Sequence, residues 1–185
     1  MAKQTINIGL AANDHTGDPL RIAFDKANDN FDELYLGRWN VLSHSAVAVA
    51  HTGTVAETTL ATITVPAGAM GANGMLRITQ VWSFTATANA KTMRTRFGGT
   101  QHNVFLVNTA VANSRFQLEI HNVNSAAVQK GAQANTGGWT GTTSALTAGA
   151  INTALAQNIT LTAVLGLSSE TMTLESYTVE VLYQA

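Results

Sequence analysis

From Asp18 onward the apolar positions keep a helical beat: Leu20, Phe24, Ala27, Phe31 and Leu34 are separated by 4, 3, 4 and 3 residues. This makes a two-heptad seam, with Asp25, Lys26, Asp29, Asp32 and Glu33 set off it. Asp18-Pro19 is a start signal, an Asp N-cap before a Pro at a position where no N–H is missed, and Gly37 is a stop. The pattern predicts a helix over about 18–36. Two heptads are too short to hold a helix alone in water. The seam therefore packs either on its own domain or against copies of itself at a symmetry axis.

Beyond Trp39 the period falls to two. Leu76, Ile78, Trp82 and Phe84 share one face of a strand, with Arg77, Thr79 and Ser83 on the other. Phe116, Leu118 and Ile120 oppose Arg115, Gln117, Glu119 and His121, and Ile159, Leu161, Ala163 and Leu165 repeat the pattern. Tyr177, Val179, Val181 and Tyr183 face away from Thr178, Glu180 and Leu182. Further strands fit 58–65, 91–97 and 102–108, with turn signals at Pro66-Ala67-Gly68, Ala72-Asn73-Gly74, Gly98-Gly99 and Leu165-Gly166.

Short strands without intervening helices predict a mainly β fold, a short N-terminal helical anchor followed by an antiparallel, jelly-roll-like β-sandwich. The organisation expected is 1–38 as an anchoring and oligomerising segment, 39–56 as a linker or first strand, and 57–185 as the sandwich. Residues 122–150 are almost all small or neutral polar, with Trp139 isolated among Gly137, Gly138 and Gly141. So long a loop either contains weak strands or projects. Trp139 is then either a partner anchor or a plug over one end of the sandwich.

Charge changes this picture in two ways. The 185 residues carry 10 Lys+Arg against 11 Asp+Glu, a net charge of -1, so no global field draws the chain to nucleic acid or an anionic membrane. Charged residues are only 11%, where an ordinary domain has roughly 25%. The surface must be polar without being charged, and Thr, Asn, Ser and Gly supply it. Aromatics are 6%, so much of the buried surface is expected to be Ala and Thr, with association between copies supplying the missing burial. No apolar run reaches signal-peptide or membrane-span length, which predicts a soluble protein made in a cytosol, with no membrane insertion.

Candidate chemistry is sparse. The chain has no Cys, which excludes disulfides and thiolate sites. His15, His44, His51, His102 and His121 show no metal-ligand spacing and read as structural. Glycoside hydrolysis needs two carboxylates flanking the bond. The β region offers only Glu57, Glu119, Glu170, Glu175 and Glu180, of which all but Glu57 and Glu170 sit on solvent faces of strands. No nucleophile elbow, P-loop or dinucleotide fingerprint is present. The expectation is a non-enzyme with no cofactor and no metal. One basic cluster stands out: Lys91, Arg94 and Arg96, with Arg77 joining from a neighbouring strand. It is either a solvated face whose charges block edge pairing or a contact for an anionic ligand or another subunit.

Ile6-Asn7-Ile8-Gly9, Ala12-Asn13-Asp14, Thr16-Gly17-Asp18-Pro19-Leu20-Arg21, Ala23-Phe24-Asp25-Lys26 and Asn28-Asp29-Asn30-Phe31-Asp32-Glu33-Leu34-Tyr35 resemble the N-terminal segment common in tailed-bacteriophage virion proteins, especially tail fibres, spikes and other appendages. Common versions carry Gly where this chain has His15, and Thr is frequent where it has Leu10 and Ile22. A second stretch, Leu60 to Gly68, Gly74 to Thr79, Trp82 to Thr85 and Lys91 to Thr100, resembles a β-sandwich module at the C-termini of phage fibres and head or tail appendages.

The resemblance implies a trimeric or otherwise symmetric structural protein of the virion, assembled in the bacterial host cytoplasm. Its N-terminal segment would dock to other virion proteins, with Leu20, Phe24, Ala27, Phe31 and Leu34 as the oligomer seam and anchor, and its sandwich would attach to the host surface. Trp139, Arg94 and Arg96 are then the candidate receptor contacts, with a surface glycan as the partner. The alternative is a capsid decoration protein that cements the head lattice.

Overall fold

The computed structural model describes residues 4–11, 15–35, 38–132 and 145–184. The chain divides into two compact units, Met1–Arg38 and Trp39–Ala185.

In the first unit a single helix, α1 (Leu20–Tyr35), carries an extended arm formed by residues 4–9. The arm is stitched on by polar groups. Asn30 Oδ1 accepts from the Gln4 N–H at 2.7 Å, and Asn30 Nδ2 returns a bond to Gln4 O at 2.8 Å. Farther along, the Asn7 N–H donates to Asp18 Oδ2 at 2.8 Å, while Asn7 O accepts from the Asp18 N–H at 2.8 Å. Lys26 Nζ bonds Asp18 Oδ2 at 2.7 Å and Thr5 O at 3.2 Å. The Asp18 carboxylate, expected to cap the helix, instead bonds Asn7 and Lys26 and fastens the arm.

The second unit is mainly β, and every pairing among its strands is antiparallel. One sheet contains β1 (Trp39–Ser45), β2 (Val49–Thr52), β4 (Met75–Phe84), β7 (Asn113–Asn122), β8 (Gln129–Gly131), β9 (Thr147–Gly149) and β11 (Thr171–Leu182). Its order is β1-β11-β4-β7-β8-β9, with β2 also on β11. The other, β3-β10-β5-β6, is built from β3 (Thr58–Val65), β5 (Lys91–Phe97), β6 (Thr100–Val107) and β10 (Gln157–Leu165). The pairs β1·β11, β3·β10, β4·β7 and β5·β6 nest like one long hairpin with β5–β6 at its tip, rolled so that successive pairs fall in alternate sheets. Together the two sheets make an antiparallel β-sandwich. The stretch 39–56 is two strands, and 122–150 contains the short pair β8 and β9. Trp139 lies outside the described residues.

Alternation concentrates the few bulky residues on the inner faces. Ile78, Trp82, Met93, Phe97, Ile120, Ile159 and Leu161 are all inaccessible to solvent. The low aromatic content is an average over the chain and not a property of this interior, so the sandwich closes its own core without a second copy. In β11 the buried positions are Met172 and Leu174 first, then Val179 and Val181. The parity changes because the pairing with β4 slips between Leu174 and Ser176, and one extra residue turns every later side chain over.

The core face of β4 also includes Gln80, fully buried between Ile78 and Trp82. Its amide is satisfied on both sides: Nε2 donates to Thr95 Oγ1 of β5 at 2.8 Å, and Oε1 accepts from Trp82 Nε1 at 3.1 Å. A second buried polar knot fixes the segment after β9. Gln129 Oε1 accepts from the Ile151 N–H at 2.8 Å and Gln129 Nε2 donates to Ile151 O at 2.9 Å, as a neighbouring strand would. Gln129 Nε2 also reaches Asn122 Oδ1, and Asn122 Nδ2 donates to Thr153 Oγ1 at 2.8 Å. Gly74 is required where β4 begins, because a Cβ there would lie 1.9 Å from Met70 O.

Candidate functional site

In the N-terminal unit the arm covers one side of α1 and leaves the seam open. Leu20 is 74% exposed, Phe24 60% and Phe31 57%, and Ala27 is half-buried. The Leu34 side chain lies outside the described residues. A row of bulky apolar side chains at heptad spacing, left in water, is the form of a helix that completes its burial on another surface.

The expected basic cluster does not exist as a unit. Arg94 and Arg96 do share the outer face of β5, and both grip one carboxylate. Arg94 Nη1 lies 2.9 Å from Glu57 Oε2, Arg96 bonds both Glu57 oxygens, and Thr162 Oγ1 adds a bond to Oε1 at 2.5 Å. The Arg96 guanidinium, with help from Thr162 and Arg94, holds the Glu57 carboxyl down at about 2. This clamp anchors the chain just ahead of β3, and an anionic ligand at these arginines would first have to displace Glu57.

Lys91 belongs elsewhere because an odd number in β5 points inward. It is fully buried, with Nζ 3.1 Å from Glu170 Oε2, 2.9 Å from Thr87 Oγ1 and 3.0 Å from Asn89 O. Thr87 and Asn89 also donate to Glu170 Oε1 and, with Lys91, hold its carboxyl below the usual range. Arg77 lies in the other sheet, on its outer face. Its guanidinium carbon stands 3.7 Å from the Trp39 ring centroid, with Nε 3.1 Å from Glu119 Oε1 and Nη1 3.9 Å from Glu180 Oε2.

The histidines are dispersed. His44 Nδ1 is 2.9 Å from Thr178 Oγ1, and burial pushes His51 down. His102 is fully buried, wedged so that a Cβ on Gly131 would lie 3.3 Å from Nδ1 and one on Gly149 3.2 Å from Nε2. Burial lowers it to about 4. Among the described residues no His, Asp and Glu side chains form a group of three that could hold a metal ion, and no helix is long and apolar enough to cross a membrane.

Two features escaped the pattern reading. Trp39 marks only the change of period in the sequence, whereas in the fold its ring roofs Arg77. Alternation does not single out Lys130, the one charged residue between Asn122 and Ala150, although its isolation is visible in the sequence. It lies on β8 directly opposite His121 of β7. The chain matches no protein-family profile and no curated relative.

Proposed function

We propose that this chain is a non-enzymatic structural protein of a tailed-bacteriophage virion, a trimeric fibre- or spike-type appendage that docks through residues 1–38 and presents its sandwich to the host surface. The observation that carries the reading is a division of labour between the two units. The sandwich closes its own core, whereas α1 leaves Leu20, Phe24 and Phe31 exposed on a helix whose other contacts are already made by the arm. Such a unit is complete only when its seam is covered, by sister helices and by the particle. The resemblance of residues 6–35 to phage appendage segments points the same way.

Deleting residues 1–38 tests the reading. The remainder should fold, sediment as a smaller species than the full chain, and no longer join particles in an assembling infection. Normal incorporation of the truncated chain, or identical sedimentation of the two, would refute it.

A further inference from the structure

The outer face of the larger sheet carries a cavity of about 250 Å³ lined by His121, Lys130, Gly131, Ala132 and Leu146. Its charge is unusual within the sandwich. Of the six cations there, Arg77, Lys91, Arg94 and Arg96 are bound to carboxylates of the same chain. Only Arg115 and Lys130 have no carboxylate partner among the described residues, and of these only Lys130 lines the cavity. His121 Nε2 stands 4.0 Å from Glu119 Oε2, whose other oxygen is held by Arg77. The cavity thus joins an uncompensated ammonium to an apolar wall of Leu146 and Ala132, with His121 alongside as a partner for hydroxyl groups.

We infer that this cavity binds one carboxylate-bearing sugar unit of an acidic polysaccharide, the carboxylate on Lys130 and the C–H face of the ring against Leu146. The volume suits a single hexose-sized ring, and a cation beside an apolar surface selects a ligand with an anionic edge on an otherwise neutral body. The inference deepens the host-attachment reading above by naming the ligand class, and rests on it for the source of the sugar.

The full chain is titrated, by calorimetry or NMR, with an oligosaccharide of alternating glucuronic acid and N-acetylglucosamine, its carboxyl-reduced neutral counterpart and a glutamate-rich peptide. The acidic oligosaccharide should bind, and the neutral counterpart on the order of tenfold more weakly, the loss of one charge-assisted contact. Lys130→Gln should cause the same loss and Lys130→Arg should keep binding. Lys130 is exposed on its strand, and a melting curve confirms that each variant folds. Equal binding of the neutral sugar, unchanged binding by Lys130→Gln, a peptide that binds as well as the sugar, or no binding at all overturns the inference. Particle incorporation is scored alongside. A wild-type chain that incorporates but binds no sugar removes the cavity assignment alone, whereas failure of the truncation test above removes the docking reading and leaves this titration interpretable.

Discussion

Lys91 Nζ and Glu170 Oε2 are 3.1 Å apart, with side chains 0% and 5% accessible to solvent. The pair ties the first residue of β5 to the turn before β11, and Thr87 and Asn89 complete the shell. Removing one partner of a buried pair strands the other's charge, while removing both leaves only the neutral polar groups of Thr87 and Asn89 to be satisfied. Lys91→Met should therefore lower the melting temperature more than the double variant Lys91→Met/Glu170→Leu. A double variant at least as unstable as the single one would contradict this account.

Stability should fall with acid in two separable stages. His102 is held at about 4 against 6.5 for a free imidazole, so between those values the unfolded chain binds the extra proton. The folded state then loses on the order of 2–3 kcal/mol as pH drops from about 6.5 to about 4. His51, also lowered by burial, adds to this limb. Glu57, held at about 2 against 4.5, contributes stability that is complete above about 4.5 and is lost as pH falls toward 2, with Glu170 and Asp18 acting in the same direction. Urea titrations across pH should show His102→Leu shrinking the upper limb and Glu57→Gln the lower one.

Gln80 is the polar stitch between the sheets. Gln80→Leu keeps the volume and the strand face but leaves Trp82 Nε1 without an acceptor and Thr95 without its donor. A cost of about 1–3 kcal/mol in chemical denaturation is expected. A neutral result would mean that the two groups find other partners.

His15 has φ 58°, in the left-handed region, where a Cβ is strained and Gly is not. The phage segment resembled by residues 6–35 commonly carries Gly there. His15→Gly should stabilise the arm by about 1 kcal/mol, read as slower amide exchange at Asn7, and His15→Val should do the reverse.

The helix and most strands were legible because periodicity survives wherever one face is buried and the other wet. β3 and β5 have the bounds that alternation assigns them, 58–65 and 91–97. The sequence was less readable where a polar residue occupies an inner position. Gln80 interrupts an apolar face yet belongs to it, and Lys91 looked like a neighbour of Arg94 although an odd offset in a strand separates them by the thickness of the sheet. β1 gave a weak signal because it pairs on one side with β11 through a register slip between Val41 and Ser43, which blurs its alternation. β8 and β9 have three residues each, too few for any period. The candidate cavity was illegible for another reason: His121 and Lys130 become neighbours only through the β7–β8 pairing, although Lys130 is the one charged residue in a neutral stretch.

Trp39 and Leu182 face each other across β1 and β11, so the polypeptide enters and leaves the sandwich at one corner. A passenger domain spliced after Gln184 would emerge beside residue 38 and compete for space with whatever that segment grips. One spliced at Ala46, past the far end of β1, would emerge roughly 20 Å away, at about 3.3 Å per residue over seven residues. For a fused passenger that must stay clear of residues 1–38, that distant turn is the permissive port and the C-terminal tail the obstructed one.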